Sequence, residues 1–248
     1  MTDFIASLPP WPEADFAAFG NVEVKPRTKM QQLVGRFLGR NWIRVPHVTH
    51  HDEIDVTDLE LRRGAWNQDN PGAKMSPVIP LVKALALTLT KFPHFAASLD
   101  ASGEKLIEKR YAHIGVAVDV PGGLLVPVLR DCDKKSLSQI STELAAIAEK
   151  ARTKGLTMQE MAGGCISLSS LGHIGGTAFT PIINAPEVAI LGLTKLQLRA
   201  CPAKNDGAIE WRPHLPVSLS YDHRVINGAD AARFVVALGH QLSEVQFA

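Results

Sequence analysis

Apolar side chains recur every three or four positions over residues 27–41 and again over 136–154. This spacing places them on one face of a helix, so both segments are predicted to be amphipathic helices. The second begins with Ser136 and Gln139, the two partners of a capping box. Gly155 follows it, where a left-handed residue often ends a helix.

Two further helices are predicted from their start signals. Ser76 is placed to cap a helix with Pro77 at its first position, and that helix has to end before Pro93. The last helix begins near Gly228. Its apolar stripe consists of Ala231, Phe234, Leu238, Leu242 and Val245.

Segments rich in β-branched residues, with turn signals between them, predict strands. They cover 43–56, two segments of 105–131 around a Pro-Gly-Gly turn at 121–123, 165–170, 188–198 and about 209–221. An Asp-Gly pair predicts a hairpin turn at 204–207. Because helices and strands alternate irregularly, the chain is predicted to be an α/β protein with one mixed sheet.

The 248 residues include 46% hydrophobic and 21% charged side chains, as in ordinary globular proteins. Residues 1–20 contain three closely spaced prolines and are predicted to be a linker remnant or an N-terminal arm. Residues 21–248 are predicted to be one domain. The net charge of +1 gives no sign of a nucleic-acid partner.

The chain has three widely spaced cysteines and no CxxC pair, which argues against a disulfide scaffold and fits a reducing compartment. Its start lacks the basic and apolar stretches of a signal peptide, and no apolar run approaches the ~20 residues of a membrane span. We therefore expect no membrane partner. The expected location is the bacterial cytoplasm, or the mitochondrial matrix in a eukaryote.

The segment 218–228 is the richest in candidate chemistry. Its strand ends in Tyr-Asp-His-Arg before a glycine opens the last helix. Histidine is the side chain most often used as a general base, so His223 is suited to that role. A lone histidine beside Asp222 and Arg224 is more often structural, so the residues alone favour that interpretation.

A serine-rich strand runs into a glycine-rich loop at 167–181. A serine hydroxyl beside a substrate and a plain surface loop both fit this segment. The chain lacks GxGxxG, P-loop and GxSxG patterns, which argues against dinucleotide binding, nucleotide hydrolysis and a hydrolase nucleophile. His47, His51 and Glu53 can share one face of a strand, but a polar strand face is the favoured interpretation, and no metal is expected.

Four long motifs together closely resemble the catalytic domain of the dihydrolipoamide acyltransferases, the core components of 2-oxo acid dehydrogenase complexes. The similarity is greatest to the acetyltransferases of bacterial pyruvate dehydrogenase, and it covers roughly residues 8–247. The motifs are DHRVINGADAARF, SSLGHIGGTAFTPIINAPEVAILGLTK, RNWIRVPHVTH and HIGVAVDVPGGLLVPVLRDCDKKSL.

This resemblance implies a chloramphenicol acetyltransferase-like fold with a mixed sheet flanked by helices. It implies that His223 is the base and that Ser169 stabilises the tetrahedral intermediate from a neighbouring subunit. Asn227, where many relatives carry Asp, would hold local backbone or ring geometry, and Asp119 matches an acidic position near the channel. His173 is either structural or channel-lining.

The resemblance also implies an activity and partners. The chain would transfer acetyl between a dihydrolipoyl thioester and coenzyme A, as a trimer built into a hollow cage. Its partners would be a lipoyl domain and the dehydrogenase and dihydrolipoamide dehydrogenase components. Acetoin-cleaving and branched-chain complexes remain alternatives, as does a core subunit that only builds the cage; no turnover of acetyl-CoA with dihydrolipoamide would favour the last.

Overall fold

The computed structural model describes residues 9–203 and 208–247; the predicted turn at 204–207 and residues 1–8 lie outside this range. The helices are α1 (Lys29–Arg44), α2 (Thr57–Asp69), α3 (Val78–Lys91), α4 (Leu137–Thr153) and α5 (Gly228–Glu244). The strands are β1 (His47–Asp55), β2 (Ala97–Leu99), β3 (Leu106–Glu108), β4 (Ile114–Val116), β5 (Val118–Val120), β6 (Gly123–Leu125), β7 (Val128–Leu129), β8 (Ile166–Ser170), β9 (Ala189–Leu193), β10 (Gln197–Pro202) and β11 (Ile209–Asp222). Short 3-10 helices cover Phe16–Phe19, Pro93–Ala96 and Met158–Met161.

Within the described residues, seven strands form the main sheet in the order β1-β11-β9-β8-β4-β7, and β10 pairs with β11. The β4–β8 and β8–β9 pairs are parallel, whereas β11 runs antiparallel to β1, β9 and β10. The predicted mixed sheet is thereby confirmed. Two small hairpins, β2–β3 and β5–β6, lie outside the main sheet.

The two faces of the central strands differ in chemistry because side chains alternate along a strand. Leu168, Leu191 and Leu219 lie in register on one face and belong to the main core, which also contains the buried faces of α3 and α5. The opposite face carries serines: Ser169 aligns with Gly192, and Gly192 aligns with Ser218. This second face is called the serine face below.

Capping explains where two of the predicted helices begin. Ser136 and Gln139 form the predicted capping box, with the Gln139 N–H donating to Ser136 Oγ over 3.2 Å. Thr28 and Gln31 form another at the start of α1. Gly155, just beyond α4, has a φ of +74°, as its predicted role at the helix end requires.

The predicted cap at Ser76 is wrong. Pro77 occupies the cap position of α3, which makes no side-chain capping bond. Ser76 contributes its backbone carbonyl instead, which accepts the Ile79 N–H over 3.2 Å.

Two strand predictions were too long, and proline explains the difference in each. Helix α1 continues to Arg44, and only Val45, held extended before Pro46, ends it, so β1 starts at His47. The predicted strand 188–198 is divided into β9 and β10. The break faces Pro216 of β11, which has no N–H to donate to a neighbouring strand.

The segments around the Pro-Gly-Gly turn divide into short strands, β4 to β7, because Pro127 and the tight turn at 121–123 interrupt the pairing. Helix α2 was missed altogether. Leu59 is its one fully buried residue, so it offers no apolar periodicity. Asp58 and Glu60 in its first turn instead favour it through the helix dipole.

The chain before β1 leaves many large apolar side chains exposed. The predicted stripe of α1 faces away from this subunit's core, because Asn41 is the one buried residue of that helix. The described part of the arm, residues 9–28, adds further exposed aromatic and aliphatic groups. The exposed side chains are Trp11, Phe16, Phe19, Val22, Val24, Met30, Leu33, Phe37, Leu38, Trp42 and Ile43.

Among the residues that the structure describes, no helix is long and apolar enough to cross a membrane.

Candidate active site

The backbone at the end of β11 holds His223 in a defined turn. The Asp222 N–H donates to the Val188 carbonyl over 2.8 Å, and the His223 N–H donates to the Pro46 carbonyl over 3.1 Å. The imidazole itself is exposed, 5.9 Å from the Tyr221 ring between centroids. His223 is therefore fixed through its backbone while its ring remains accessible to a substrate.

An ion pair between Asp222 and Arg224, the residues on either side of His223, stabilises this turn. The Asp222 carboxylate is 3% exposed and accepts from Arg224 Nη2 over 2.6 Å and from Arg224 Nε over 2.9 Å. It also accepts the Arg224 backbone N–H over 3.0 Å. Hydrogen bonding to Asp222 raises the pKa of Arg224. Because one carboxylate binds both backbone and side chain of Arg224, the turn that presents His223 is rigid.

Asn227 begins helix α5. Its Oδ1 accepts the Asp230 N–H over 2.9 Å, and its Nδ2 donates to Asp230 Oδ2 over 2.6 Å. Both ends of the amide are thus bound within the first turn of the helix. Asn227 therefore caps the helix, and its side-chain bonds go to Asp230 and not to the His223 ring. Its role in the site stays a prediction.

Ser169 lies near the end of β8 on the serine face and is half-buried. Within the described part of the chain, its hydroxyl has no hydrogen-bond partner, so it is available to a ligand. Ser170 points to the opposite face, and its Oγ accepts the Gly172 N–H over 3.4 Å. The two neighbouring serines of β8 therefore lie on opposite faces of the sheet.

One chain does not bring Ser169 and His223 together. Ser169 is aligned through Gly192 with Ser218, and His223 follows Ser218 by five residues along β11. Two strand spacings of ~4.8 Å and five rises of ~3.3 Å place the two residues roughly 19 Å apart. They lie toward opposite ends of the strands of the same sheet.

Asp119 lies toward the same strand end of the sheet as Ser169. Strands β4 and β8 are parallel, and the Ala117 N–H just after β4 donates to the Leu168 carbonyl over 2.8 Å. Asp119 follows on the exposed side of β5. His173 is exposed in the loop after β8. These positions leave the roles predicted for Asp119 and His173 open.

Two histidines of β1, His47 and His51, make side-chain hydrogen bonds. His47 Nδ1 lies 2.8 Å from the Val45 carbonyl, and its Nε2 accepts the Ile183 N–H over 3.0 Å. These two bonds require a neutral ring protonated at Nδ1. His51 Nδ1 lies 2.9 Å from Ser218 Oγ. Within residues 9–203 and 208–247, no group of three or more His, Cys, Asp or Glu could hold a metal ion.

A buried carboxyl group near the site was missed at the sequence level. Glu187 is 6% exposed, and its Oε2 accepts from Ser167 Oγ over 2.7 Å. Burial raises the pKa of Glu187 to about 7. Burial also lowers the pKa of the neighbouring Lys109, whose Nζ donates to the Gly164 carbonyl over 2.9 Å. A glutamate just before a strand looks like a surface residue, so no sequence pattern indicated that Glu187 is buried.

The raised pKa of Glu187 predicts a pH-dependent stability. A carboxyl whose folded pKa is about 7 stabilises the fold in its neutral form, and this stabilisation is lost as the pH rises from about 4.5 to about 7. Glu187→Gln should match the wild type near pH 4.5 and exceed it above pH 7, by up to ~3 kcal/mol. Urea unfolding across this pH range measures the difference; equal pH profiles for both proteins would contradict it.

The fold matches that of chloramphenicol acetyltransferase, at a TM-score of 0.56 and 14% identity over 84% of this chain and 94% of that one. The fold is therefore of the chloramphenicol acetyltransferase type, as the resemblance of the sequence motifs implied. The profile of the 2-oxoacid dehydrogenases acyltransferase (catalytic domain) matches residues 19–248. The chain belongs to this family, and the resemblance drawn from its motifs is confirmed.

Two relatives define the branch of the family to which this chain is similar. It is 51% identical over 243 residues to the dihydrolipoyllysine-residue acetyltransferase component of the pyruvate dehydrogenase complex from Pseudomonas aeruginosa. It is 50% identical over 234 residues to the component of the same name from Azotobacter vinelandii. These matches cover 97% and 94% of this chain but only 44% and 36% of the relatives.

Two solved structures superpose closely on this chain. One is the Azotobacter vinelandii dihydrolipoamide acetyltransferase, studied for the role of a serine, a histidine and an asparagine in its catalytic mechanism. Its TM-score is 0.91 at 50% identity, covering 96% of this chain and 98% of that one. The other, with the same scores, is the cubic core of a pyruvate dehydrogenase multienzyme complex.

Proposed function

We propose that this chain transfers an acetyl group between a dihydrolipoyl thioester and coenzyme A, with His223 as the base and Ser169 as the oxyanion donor. One observation carries the proposal. The relative at 50% identity was studied for the role in catalysis of a serine, a histidine and an asparagine four residues after that histidine, and His223 and Asn227 have the same spacing. The names of the relatives favour acetyl over the other acyl groups considered above.

The chemistry follows from the groups at hand. The neutral His223 imidazole accepts the coenzyme A thiol proton as the sulfur attacks the thioester carbonyl of acetyl-dihydrolipoamide. The carbonyl oxygen takes up the electron pair, and the Ser169 hydroxyl donates a hydrogen bond to it. When the intermediate collapses, the bond to the dihydrolipoyl sulfur breaks and the proton passes to that sulfur. The products are acetyl-coenzyme A and dihydrolipoamide.

The rigid turn described above suits this role. A general base acts only when it is held within hydrogen-bond reach of the thiol, and the Asp222–Arg224 ion pair fixes the backbone on either side of His223. Arg224 also lines a cavity of about 400 Å³ together with Arg40 and Arg44. Asp100, Glu187 and Asp222 line the same cavity, and Asp222 pairs with Arg224, so Arg40 and Arg44 are the cations that can attract an anionic substrate such as coenzyme A.

We propose further that the working site is shared between subunits of a homotrimer, itself built into a larger cage. A separation of roughly 19 Å within one chain is too large for two groups that act on one thioester. The exposed apolar side chains of residues 9–28 and α1 supply a surface for a second copy. The cubic assembly of the relative supports the cage. A lipoyl domain and the two dehydrogenase components are the proposed partners.

Mixed assemblies test the shared site. His223→Ala and Ser169→Ala subunits, unfolded and refolded together in equal amounts, should regain about one quarter of wild-type acetyl transfer, since one interface in four pairs an intact His with an intact Ser. Each variant refolded alone is the control and should stay inactive. The assay follows acetyl transfer from acetyl-coenzyme A to free dihydrolipoamide.

The size of the refolded particle, measured by light scattering, separates failed assembly from failed chemistry. A mixture that assembles to the wild-type size yet remains as inactive as its parents would place both residues in one subunit's site. An unmodified chain with no acetyl transfer would instead favour a core subunit that only builds the cage.

A further inference from the structure

The connection between α1 and β1 binds one residue of the segment that leads to β9. The Ile183 N–H donates to His47 Nε2 over 3.0 Å, and the Ile183 carbonyl accepts from Asn41 Nδ2 over 3.0 Å. Asn41 and Ile183 are both buried. Because a buried backbone group without a partner is costly, these two side chains fix the position of Ile183 relative to β1.

The His47 ring can bind Ile183 in only one protonation state. Its Nδ1 lies 2.8 Å from the Val45 carbonyl, which can only accept, so Nδ1 carries the proton. In the neutral ring, Nε2 is then a bare acceptor that faces the Ile183 N–H. The Trp42 ring stacks on the imidazole, with 5.4 Å between centroids and 29° between planes, and fixes the plane of the ring. A second proton, on Nε2, would set two N–H groups against each other and break the bond.

The same connection holds the backbone of the proposed base. Pro46, the residue before His47, accepts the His223 N–H at its carbonyl over 3.1 Å. Val45, on the other side of Pro46, belongs with Ile183 to a small buried cluster. The Pro46 carbonyl therefore lies between two residues that are tied to Ile183, one by a hydrogen bond and one by apolar packing.

We propose that His47 is a positioning residue for His223, effective only while the His47 ring is neutral. The proposal rests on the function proposed above, in which His223 is the base. The bond from His47 to Ile183 keeps the Pro46 carbonyl in place, and that carbonyl keeps the His223 backbone where its ring reaches the thiol. When acid protonates His47, the bond breaks and the base loses this support. The site thus contains two histidines with different tasks, one that takes the thiol proton and one that positions the first.

The elements packed around the His47 ring carry charged groups of both signs. Asp222 is the register partner of His47 across the β1–β11 pair, and its carboxylate is bound by Arg224. This ion pair compensates the carboxylate, so the bonds to Val45 and Ile183 decide which form of the ring the site accepts. The other charged or titratable groups are Arg40 and Arg44 of α1, His51 on the same face of β1, His223 itself, and Glu187 beyond Ile183.

Two substitutions of His47 first remove the acceptor and then restore it in a form that takes up no proton. His47→Leu leaves the Ile183 N–H without its partner, and kcat should fall by ~10–10²-fold, since a misplaced catalytic group costs up to ~10² in rate. KM should change by less than about twofold, because His47 touches no substrate in the proposed mechanism. His47→Gln places an amide oxygen near the position of Nε2 and should retain at least about half of the wild-type kcat at about pH 8. Acetyl transfer from acetyl-coenzyme A to dihydrolipoamide is the assay.

The pH dependence of the reaction separates positioning from a purely structural role. The experiment follows the logarithm of kcat/KM for dihydrolipoamide from about pH 8 down to about pH 5, the range in which imidazoles change charge. The wild type needs two neutral rings, so its acid limb should steepen toward a slope of about two. In His47→Gln only the His223 ring has to be neutral, and the slope should approach about one. Loss of a merely structural contact would instead lower the rate in the same proportion at every pH.

His50→Gln is the matched control, because His50 lies on the same strand but points to its opposite face. This variant should keep the wild-type kcat and the slope of about two. Two results would overturn the proposal: His47→Leu with the wild-type kcat, or His47→Gln with the same slope as the wild type. If melting shows that His47→Leu does not fold, the slopes of the other proteins still decide. Failure of the proposed function is distinct from these results, because the unmodified chain would then transfer no acetyl group at any pH.

Discussion

Replacement of His223 by alanine should slow acetyl transfer by ~10²–10⁴-fold, the usual contribution of a general base. A free thiol has a pKa near ~8.5, so little thiolate is present at neutral pH and the base has to remove the proton during attack. The ring is exposed and makes no contribution to the core, so folding and assembly should be unaffected. Steady-state kinetics on the purified, assembled variant measure the loss.

His240→Ala is the matched control for this substitution. His240 is another exposed histidine, located on α5 and outside the proposed site, and its variant should retain wild-type turnover. If His223→Ala keeps more than about half of the wild-type rate, the assignment of the base is wrong. Equal losses in both variants would indicate a general effect on the assembly.

Replacement of Ser169 by alanine should lower kcat by ~10²–10³-fold, as removal of an oxyanion donor typically does. Its hydrogen bond strengthens as charge develops on the oxygen, so KM should change little. Ser170→Ala should cost far less, because strand alternation points this neighbour to the opposite face. Rapid-quench measurement of a single turnover separates the chemical step from binding.

Comparable losses in the two serine variants would contradict the assignment to Ser169. A rise in KM without a fall in kcat would make Ser169 a residue that binds the ground state and transition state equally. Melting temperatures of both variants, compared with the wild type, show whether either loss reflects a disturbed strand.

Local signals in the sequence were sufficient where a helix or strand depends on its own residues. The capping box at Ser136, the turn at 121–123 and the stripe of α5 all lie where their patterns predict. Proline misled the interpretation at Ser76, where Pro77 takes the cap position, and it shortened two strands. Pro46 restricts the preceding Val45, whereas Pro216 has no N–H to donate to a strand distant in the chain. Helix α2 has little apolar periodicity and was missed for that reason.

The residues of the candidate site also differ in whether local sequence signals could identify them. Motifs identified the position of His223 and the capping asparagine, because both lie within one short segment of chain. The His47–Ile183 and Glu187–Ser167 bonds join residues far apart in sequence. Only the packing of the folded chain brings them together, and single-sequence patterns do not encode it. The exposure of the α1 stripe likewise depends on which elements pack against it.

The placement of Ser169 and His223 toward opposite strand ends of one sheet has a consequence for the cell. On the shared-site proposal, a newly synthesised subunit carries half of two different reaction centres and a complete copy of neither. Free subunits are then inactive. They do not consume activated acetyl groups before they assemble. Acetyl transfer begins only at the interfaces between subunits. A tethered lipoyl domain would present its acetyl group at the same interfaces.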